Sequence, residues 1–275
     1  MSPFTLDDTL VRRVLAALAV EAAPPSLAAL DALVSAYVRR VPWESASRIA
    51  RRVQTPRLSD CPRWPVTFWE SALANGTGGT CFESNYAFLA LLRALGYDGY
   101  LTINNMGETT ACHTAIVVRL DGESWLVDVG LPLHVPLRLD PLDDMSEREG
   151  EFHTYRMLPE GGGRYRVERD RHPQPYCFTL VDRPVPETIY RAATTADYGP
   201  DGLFLDRVIV VRVVDGCIWR FNSGDGPPYH LESFPAAGKT YHFLGTDLSA
   251  ISGLVSNHFD LLKSIMDCAL YQTGG

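Results

Sequence analysis

An α+β fold is what the sequence predicts, and three observations predict it. Apolar residues recur at helical spacing through the first part of the chain, the spacing changes to alternation after Gly96, and a helix returns only at the C-terminal end. Helices, then strands, then strands with a final helix is a segregated order, whereas a parallel α/β sheet would interleave them. The 275 residues leave room for two or three packed units, and 46% hydrophobic with 21% charged residues is the make-up of an ordinary globular chain.

Leu10, Val14 and Leu18 set the stripe of a first helix, which Pro24-Pro25 interrupts. Ser26 can cap a second helix with the stripe Leu27, Leu30, Val34, Tyr37 and Val41, and Pro42 ends it. Residues 51–65, rich in arginine and proline, are expected to be loop, and residues 68–73 a short helix. Another helix starts at Cys81 and stops at Gly96, and residues 100–104 read as a strand. The clearest hairpin follows, with residues 113–120 and 123–130 joined by Asp121-Gly122. Asp-Gly favours a two-residue turn because both positions need positive φ. Residues 138–150 are acidic and expected to form an exposed loop. Residues 151–157 and 164–169 flank the turn Gly161-Gly162-Gly163, and a proline-rich passage (Pro173, Pro175, Pro184, Pro186) comes next. Residues 208–214 read as a buried strand that Asp215-Gly216 turns into residues 217–221. A closing helix carries the stripe Leu254, His258, Leu261 and Ile265.

Composition excludes several classes of function. A net charge of −8, with scattered arginines and only Lys239 and Lys263 as lysines, is no footprint for nucleic acid. No apolar run is long enough to cross a bilayer, and no charged start leads into an apolar signal segment. The six cysteines, Cys61, Cys81, Cys112, Cys177, Cys217 and Cys268, contain no C-x-x-C pair. His134, His153, His172, His230, His242 and His258 show no metal-ligand spacing, so no metal is expected. The expected location is the cytoplasm, with reduced thiols.

The chemistry centres on residues 75–85, where Gly76, Gly78 and Gly79 deliver Cys81 to the first turn of a helix. Glycine allows backbone angles and close approach that other residues do not. The partial positive charge of a helix N-terminus favours a thiolate over a thiol. The same stretch also suits a small buried cysteine at a helix start. It lacks the lysine of a phosphate loop.

The hairpin permits a geometric test. With a two-residue loop at Asp121-Gly122, Leu120 faces Glu123 and Ala115 faces Asp128. His113 lies two residues from Ala115 and therefore on the same face, a diagonal cross-strand neighbour of Asp128. A loop of odd length or a bulge would separate the two. Such a carboxylate orients an imidazole, leaving its other nitrogen for a nucleophile, and Cys81 is the nucleophile on offer. Cys112 points to the opposite face from its neighbour His113. Taken singly, a strand histidine is usually partnered structurally, and an aspartate near a strand end is more often a turn former.

With these residues in place, the chain resembles the arylamine N-acetyltransferase family. Arg40-Val41-Pro42-Trp43-Glu44-Ser45 is similar to the family's R-x-P-F-E-N. Gly78-Gly79-Thr80-Cys81-Phe82-Glu83-Ser84-Asn85 is similar to its R-G-G-x-C-x-E-x-N. His113 through Asp128-Val129-Gly130 is similar to its H-x-x-L-x-V … Y-L-V-D-V-G-F-G, and the blocks fall in the family's order. The resemblance implies a helical domain (1–97), an antiparallel β-barrel domain (98–200) and an α/β lid (201–275), around a core like that of cysteine proteases and transglutaminases. It implies Cys81 as acyl-accepting nucleophile, His113 as base and acid, and Asp128 as the orienting carboxylate. It further implies ping-pong transfer of an acetyl group from acetyl-CoA, a co-substrate and not a resident cofactor, to an aromatic amine or hydrazine. By analogy Trp43, Phe82 and Leu131 line the acceptor pocket, although such residues are core by default. Glu44 and Asn85 are supporting hydrogen-bonding residues outside the catalytic set.

Three departures bear on the substrate. Thr77 stands where the family has arginine, removing any ion pair to Glu44; Ser45 replaces an asparagine; and Leu131-Pro132 replaces Phe-Gly in the segment that lines the family's acceptor pocket. They fit the same acyl chemistry on another amine, or an amide synthase taking its acyl group from a carrier-protein thioester. A thiol hydrolase on the same fold and a non-catalytic binding protein are the further alternatives.

Overall fold

The computed structural model describes residues 4–139, 144–172, 174–235 and 238–273. In chain order the elements are α1 (Asp8–Leu18), α2 (Leu27–Arg40), β1 (Trp43–Glu44), α3 (Ala46–Gln54), α4 (Pro65–Asn75), α5 (Cys81–Ala94), β2 (Asp98–Met106), β3 (Thr109–Leu120), β4 (Glu123–Val127), β5 (Leu137–Leu139), β6 (Ser146–Glu149), β7 (Thr154–Gly161), β8 (Arg164–Arg169), β9 (Tyr176–Val181), α6 (Glu187–Ala196), β10 (Ile209–Val214), β11 (Cys217–Asn222), β12 (Tyr229–Phe234), β13 (Thr240–Gly245), α7 (Leu248–Phe259) and α8 (Lys263–Thr273). This is the expected α+β order. The chain forms two compact units, one of Met1–Tyr37, Trp64–Val66 and Cys81–Arg191, the other of Val38–Arg63, Thr67–Thr80 and Ala192–Gly275.

In the first unit, Asp7 caps α1 by accepting from the Leu10 N–H at 2.8 Å, and α1 buries Leu10, Val14 and Leu18 as their spacing requires. Ser26 Oγ accepts from the Ala29 N–H at 3.2 Å at the start of α2. Helix α5 is buried along Cys81–Leu92, which suits a helix apolar on most sides. An antiparallel sheet runs in the order β5-β4-β3-β2-β9-β8-β7-β6. Ser146 Oγ on β6 donates to the Arg138 carbonyl on β5 at 2.6 Å, so the two ends of the sheet meet and the barrel is nearly closed. Leu126, Tyr155, Met157, Val167, Phe178 and Leu180 are among the residues that fill it.

The β3–β4 hairpin has the expected register. Leu120 faces Glu123 and Ile116 faces Val127, with Asp121 and Gly122 both at positive φ (53° and 81°). Counting on from this ladder, Ala115 is level with Asp128.

The second unit is an antiparallel sheet in the order β1-β10-β11-β12-β13, with α3, α7 and α8 contributing to its core. Ile49, Val210, Phe221, Val255, Phe259 and Met266 are packed there. Ser45 occupies the asparagine position of the family motif and knits β1 to the approach of β10. Its hydroxyl donates to the Arg207 carbonyl and accepts from the Ile209 N–H, both at 2.9 Å.

Several expectations are corrected. Residues 51–54 are helical, since arginine is a good helix former, and Arg51 reaches forward to the carbonyls of Cys61 and Asp60 at 2.6 and 2.8 Å. Residues 146–149 form a strand whose alternating charges suit a sheet edge. The proline-rich passage contains β9, because Pro175 and Pro184 flank the strand and do not interrupt it. In the strand at 208–214 only Val208 and Val210 are buried. The closing helix is two helices, broken where Asp260 takes φ 52°. Its buried stripe is Ile251, Val255 and Phe259, while Leu254 is 49% exposed. His258 is half-buried and meets Trp219 edge-to-face, with ring centroids 4.5 Å apart. Residues 140–143 of the acidic stretch and Pro173 lie outside the described residues. Among those described, no helix is long and apolar enough to cross a membrane.

Candidate active site

Cys81 is the first residue of α5. The turn that precedes it belongs to the second unit and is held there by side chains from α3, α4 and their flanks. The Glu44 carboxylate accepts from the Gly78 N–H at 3.1 Å, from the Ser47 N–H at 2.8 Å and from the Ser47 hydroxyl. Arg63 donates to the Gly78 carbonyl at 2.8 Å, and Arg48 to the Thr80 hydroxyl at 3.2 Å. Thr77, where the family has arginine, pairs its hydroxyl with Ser71 at 2.8 Å. Gly78 must be glycine, because a Cβ there would stand 1.6 Å from the Pro42 carbonyl oxygen.

Within the first unit, the register of β3 and β4 brings His113 to Asp128. His113 Nε2 lies 2.6 Å from Asp128 Oδ2, with both side chains buried. The other carboxylate oxygen, Oδ1, accepts from the backbone N–H groups of Gly130 (2.8 Å) and Leu131 (2.9 Å) and from Asn85 Nδ2 (3.1 Å). Asn85 stands one helical turn beyond Cys81. Its Nδ2 also donates to the Thr114 carbonyl at 2.7 Å, and its Oδ1 accepts from the Val129 N–H at 3.0 Å. One asparagine thus ties α5, β3 and the Asp128 turn together.

Burial by itself would lower the pKa of His113, but the Asp128 carboxylate and a hydrogen bond with Cys81 outweigh it and push it up to about 10. With Nε2 turned to Asp128, Nδ1 is the ring nitrogen available to Cys81. The ring packs on Phe178, centroids 4.6 Å apart. Cys81 Sγ also lies 3.9 Å from the Cys112 carbonyl, whereas the Cys112 thiol turns to the Thr109 carbonyl at 3.3 Å. All six cysteines are free.

Cys81, His113 and Asp128 come together, and Phe82 and Leu131 share their unit. Phe82 is buried, its ring 5.6 Å from that of Tyr190. Leu131 is half-buried, gives its N–H to Asp128 and sets its side chain against the barrel core. Trp43 lies in the second unit, paired with Val211 and packed edge-to-face on Phe204 at 5.0 Å. Sequence reasoning did not single out Gly130 or Phe178. For Gly130 the signal was its place directly after Asp128-Val129; for Phe178 there was none.

Asp225, His230 and Glu232 in the second unit bring potential ligand atoms within 4.8 Å of one another. Arg220 and Lys239 both bond the Glu232 carboxylate, so the group is an ion-pair network whose own cations oppose a metal.

A model of the N-acetyltransferase family matches residues 26–216. Proansamycin X synthase of Amycolatopsis mediterranei is 32% identical over 123 residues, 41% of this chain and 46% of that protein. An arylamine N-acetyltransferase of Escherichia coli is 34% identical over 93 residues, 30% of this chain and 32% of that protein. The chain thus spans less than half the length of these two relatives. The solved arylamine N-acetyltransferase of Mycobacterium marinum in complex with CoA superposes with a TM-score of 0.78 at 18% identity, covering 94% of this chain and 98% of that one.

Proposed function

Because the chain belongs to the N-acetyltransferase family, we propose that it is an acyltransferase that carries an acetyl group from acetyl-CoA to an aromatic amine or hydrazine through a thioester on Cys81. Cys81, His113 and Asp128 are its catalytic residues. The observation that carries this reading is the contact of His113 Nε2 with Asp128 Oδ2 at 2.6 Å.

The steps follow from these contacts. Cys81 Sγ gives its proton to His113 and, as thiolate, attacks the thioester carbonyl of acetyl-CoA. CoA leaves and takes a proton from the His113 imidazolium. The amine then attacks the Cys81 thioester, neutral His113 accepts the proton it sheds, and the Cys81 thiolate departs. Asp128 holds the ring in one orientation throughout. The segments 1–97, 98–200 and 201–275 serve as nucleophile-bearing, His/Asp-bearing and lid domains. Phe82 and Leu131 line the acceptor pocket, and the enzyme works in the cytoplasm.

Intact-protein mass spectrometry after brief exposure to acetyl-CoA tests the first half-reaction. One acetyl group on the wild type and none on Cys81→Ser is the expected result. An acetyl group on both proteins would remove the nucleophile assignment. A second reading, an amide synthase with a carrier-protein thioester as donor, draws support from Leu131-Pro132 and from the relative named for making proansamycin X. It predicts no adduct from acetyl-CoA and an adduct from the carrier thioester.

A further inference from the structure

A second set of buried polar groups reaches Cys81 from its backbone side. Thr114 follows His113 on β3 and therefore turns its side chain to the opposite face. Its hydroxyl donates to the Cys81 carbonyl at 2.9 Å. Tyr190 on α6 is fully buried, and its hydroxyl donates to the Phe82 carbonyl at 2.8 Å. The same oxygen stands 3.1 Å from Thr114 Oγ1, so the single phenolic proton has two acceptors in reach. The Tyr190 ring packs on Phe82 and Tyr86, with centroids 5.6 and 5.4 Å away.

The Cys81 and Phe82 carbonyls already belong to the first turn of the α5 ladder, whose N–H partners lie four residues on. Each takes a further donor from another element. Valine at 114 and phenylalanine at 190 would fill nearly the same space without these hydroxyls. Neighbouring residues of one strand thus address two ends of one residue, His113 its sulfur and Thr114 its carbonyl.

We propose that Thr114 and Tyr190 are positioning residues, a pair of hydroxyls that fixes the first turn of α5 and so holds Cys81 Sγ against His113. The proposal rests on Cys81 being the nucleophile. The pair transfers the rigidity of β3 and α6 to the sulfur, and a misplacement of about 1 Å at a reacting atom can cost on the order of a hundredfold in rate.

The test uses the full chain and the variants Tyr190→Phe, Thr114→Val and Thr114→Ser. For each, the rate of Cys81 alkylation by iodoacetamide is followed by peptide mass spectrometry, beside Tm and the kcat and KM of acyl transfer. Tyr190→Phe and Thr114→Val are each expected to slow alkylation roughly three- to tenfold, the effect of one lost hydrogen bond, and to lower kcat with KM unchanged. Thr114→Ser keeps the donor and is expected to restore both rates. Wild-type alkylation and kcat in Tyr190→Phe and Thr114→Val, with only Tm reduced, would overturn the proposal. If Tyr190→Phe does not fold, the contrast between valine and serine at 114 carries the decision. Wild-type Cys81 reacting no faster than the other five cysteines would instead sink the nucleophile assignment, and the proposal with it.

Discussion

Gly130 leaves no room for a side chain against Cys81: a Cβ there would stand 2.4 Å from Cys81 Cα and 2.6 Å from its Cβ. The same carbon would also press on Asn85 Nδ2 at 2.7 Å. Gly130→Ala must push the start of α5 away from the Asp128 turn. It is expected to cost about 1–3 kcal/mol of stability, as overpacking does, and to reduce acyl transfer at least tenfold. Urea unfolding and initial rates check this; wild-type values in both would mean that the contact relaxes without consequence.

Asp128→Asn changes one carboxylate oxygen to an amide nitrogen, and neither placement works. An NH2 at the Oδ1 position meets the N–H groups of Gly130, Leu131 and Asn85. An NH2 at the Oδ2 position meets His113 Nε2 and forces the other tautomer. Acyl transfer is expected to fall by about 10⁴-fold, as for a triad whose histidine is held in the wrong tautomer. Rates within tenfold of wild type would make Asp128 a structural residue only.

The raised pKa of His113 fixes a direction for pH dependence. Burial opposes the proton, while Asp128 and Cys81 retain it to about pH 10; an unfolded histidine gives it up near 6.5. The pair's contribution to stability is therefore fully present below about pH 6.5 and is lost as pH rises through about 10. The stability difference between wild type and His113→Phe should shrink across that window. NMR titration of the His113 ring provides the direct measurement, and a midpoint near 6.5 would contradict the geometry.

Arg48 is fully buried in the second unit, its guanidinium 2.5 Å from Asp197 Oδ2 and 4.5 Å from the centre of the Tyr198 ring. Arg48→Met leaves the largely buried Asp197 without its cation and is expected to cost about 3–5 kcal/mol. Removing both charges in Arg48→Met/Asp197→Leu should recover most of that loss. Equal destabilisation of the single and double variants in urea would show that the arginine matters for its bonds to Thr80 and the Asp197 carbonyl, and not for the charge pair.

The hairpin was legible in the sequence because Asp121-Gly122 demands one turn geometry, and that turn sets the register placing His113 beside Asp128. Cys81 was legible because its glycines and the following apolar run are contiguous. Gly130 was not, since its requirement arises from the docking of α5, forty-odd positions back along the chain. Arg48 and Asp197 pair across 149 residues, a distance over which local spacing carries no signal. The strand β9 was hidden by its flanking prolines, and the break between α7 and α8 by apolar residues on both sides of Asp260.

The division of the chain has a consequence for how the protein can be made. The backbone passes from one unit to the other after Tyr37, Arg63, Val66, Thr80 and Arg191. β1 finds its partner strand in β10, and Ser45 meets Ile209 across 164 residues. A ribosome therefore releases most of the first unit while the second still lacks its sheet. Such long-range pairing is slow and leaves strand edges exposed in the meantime. Neither unit can be cut out as a continuous fragment, and a chain truncated after Arg191 would carry the whole Cys81–His113–Asp128 set on a scaffold whose β1 lacks its partner strand β10.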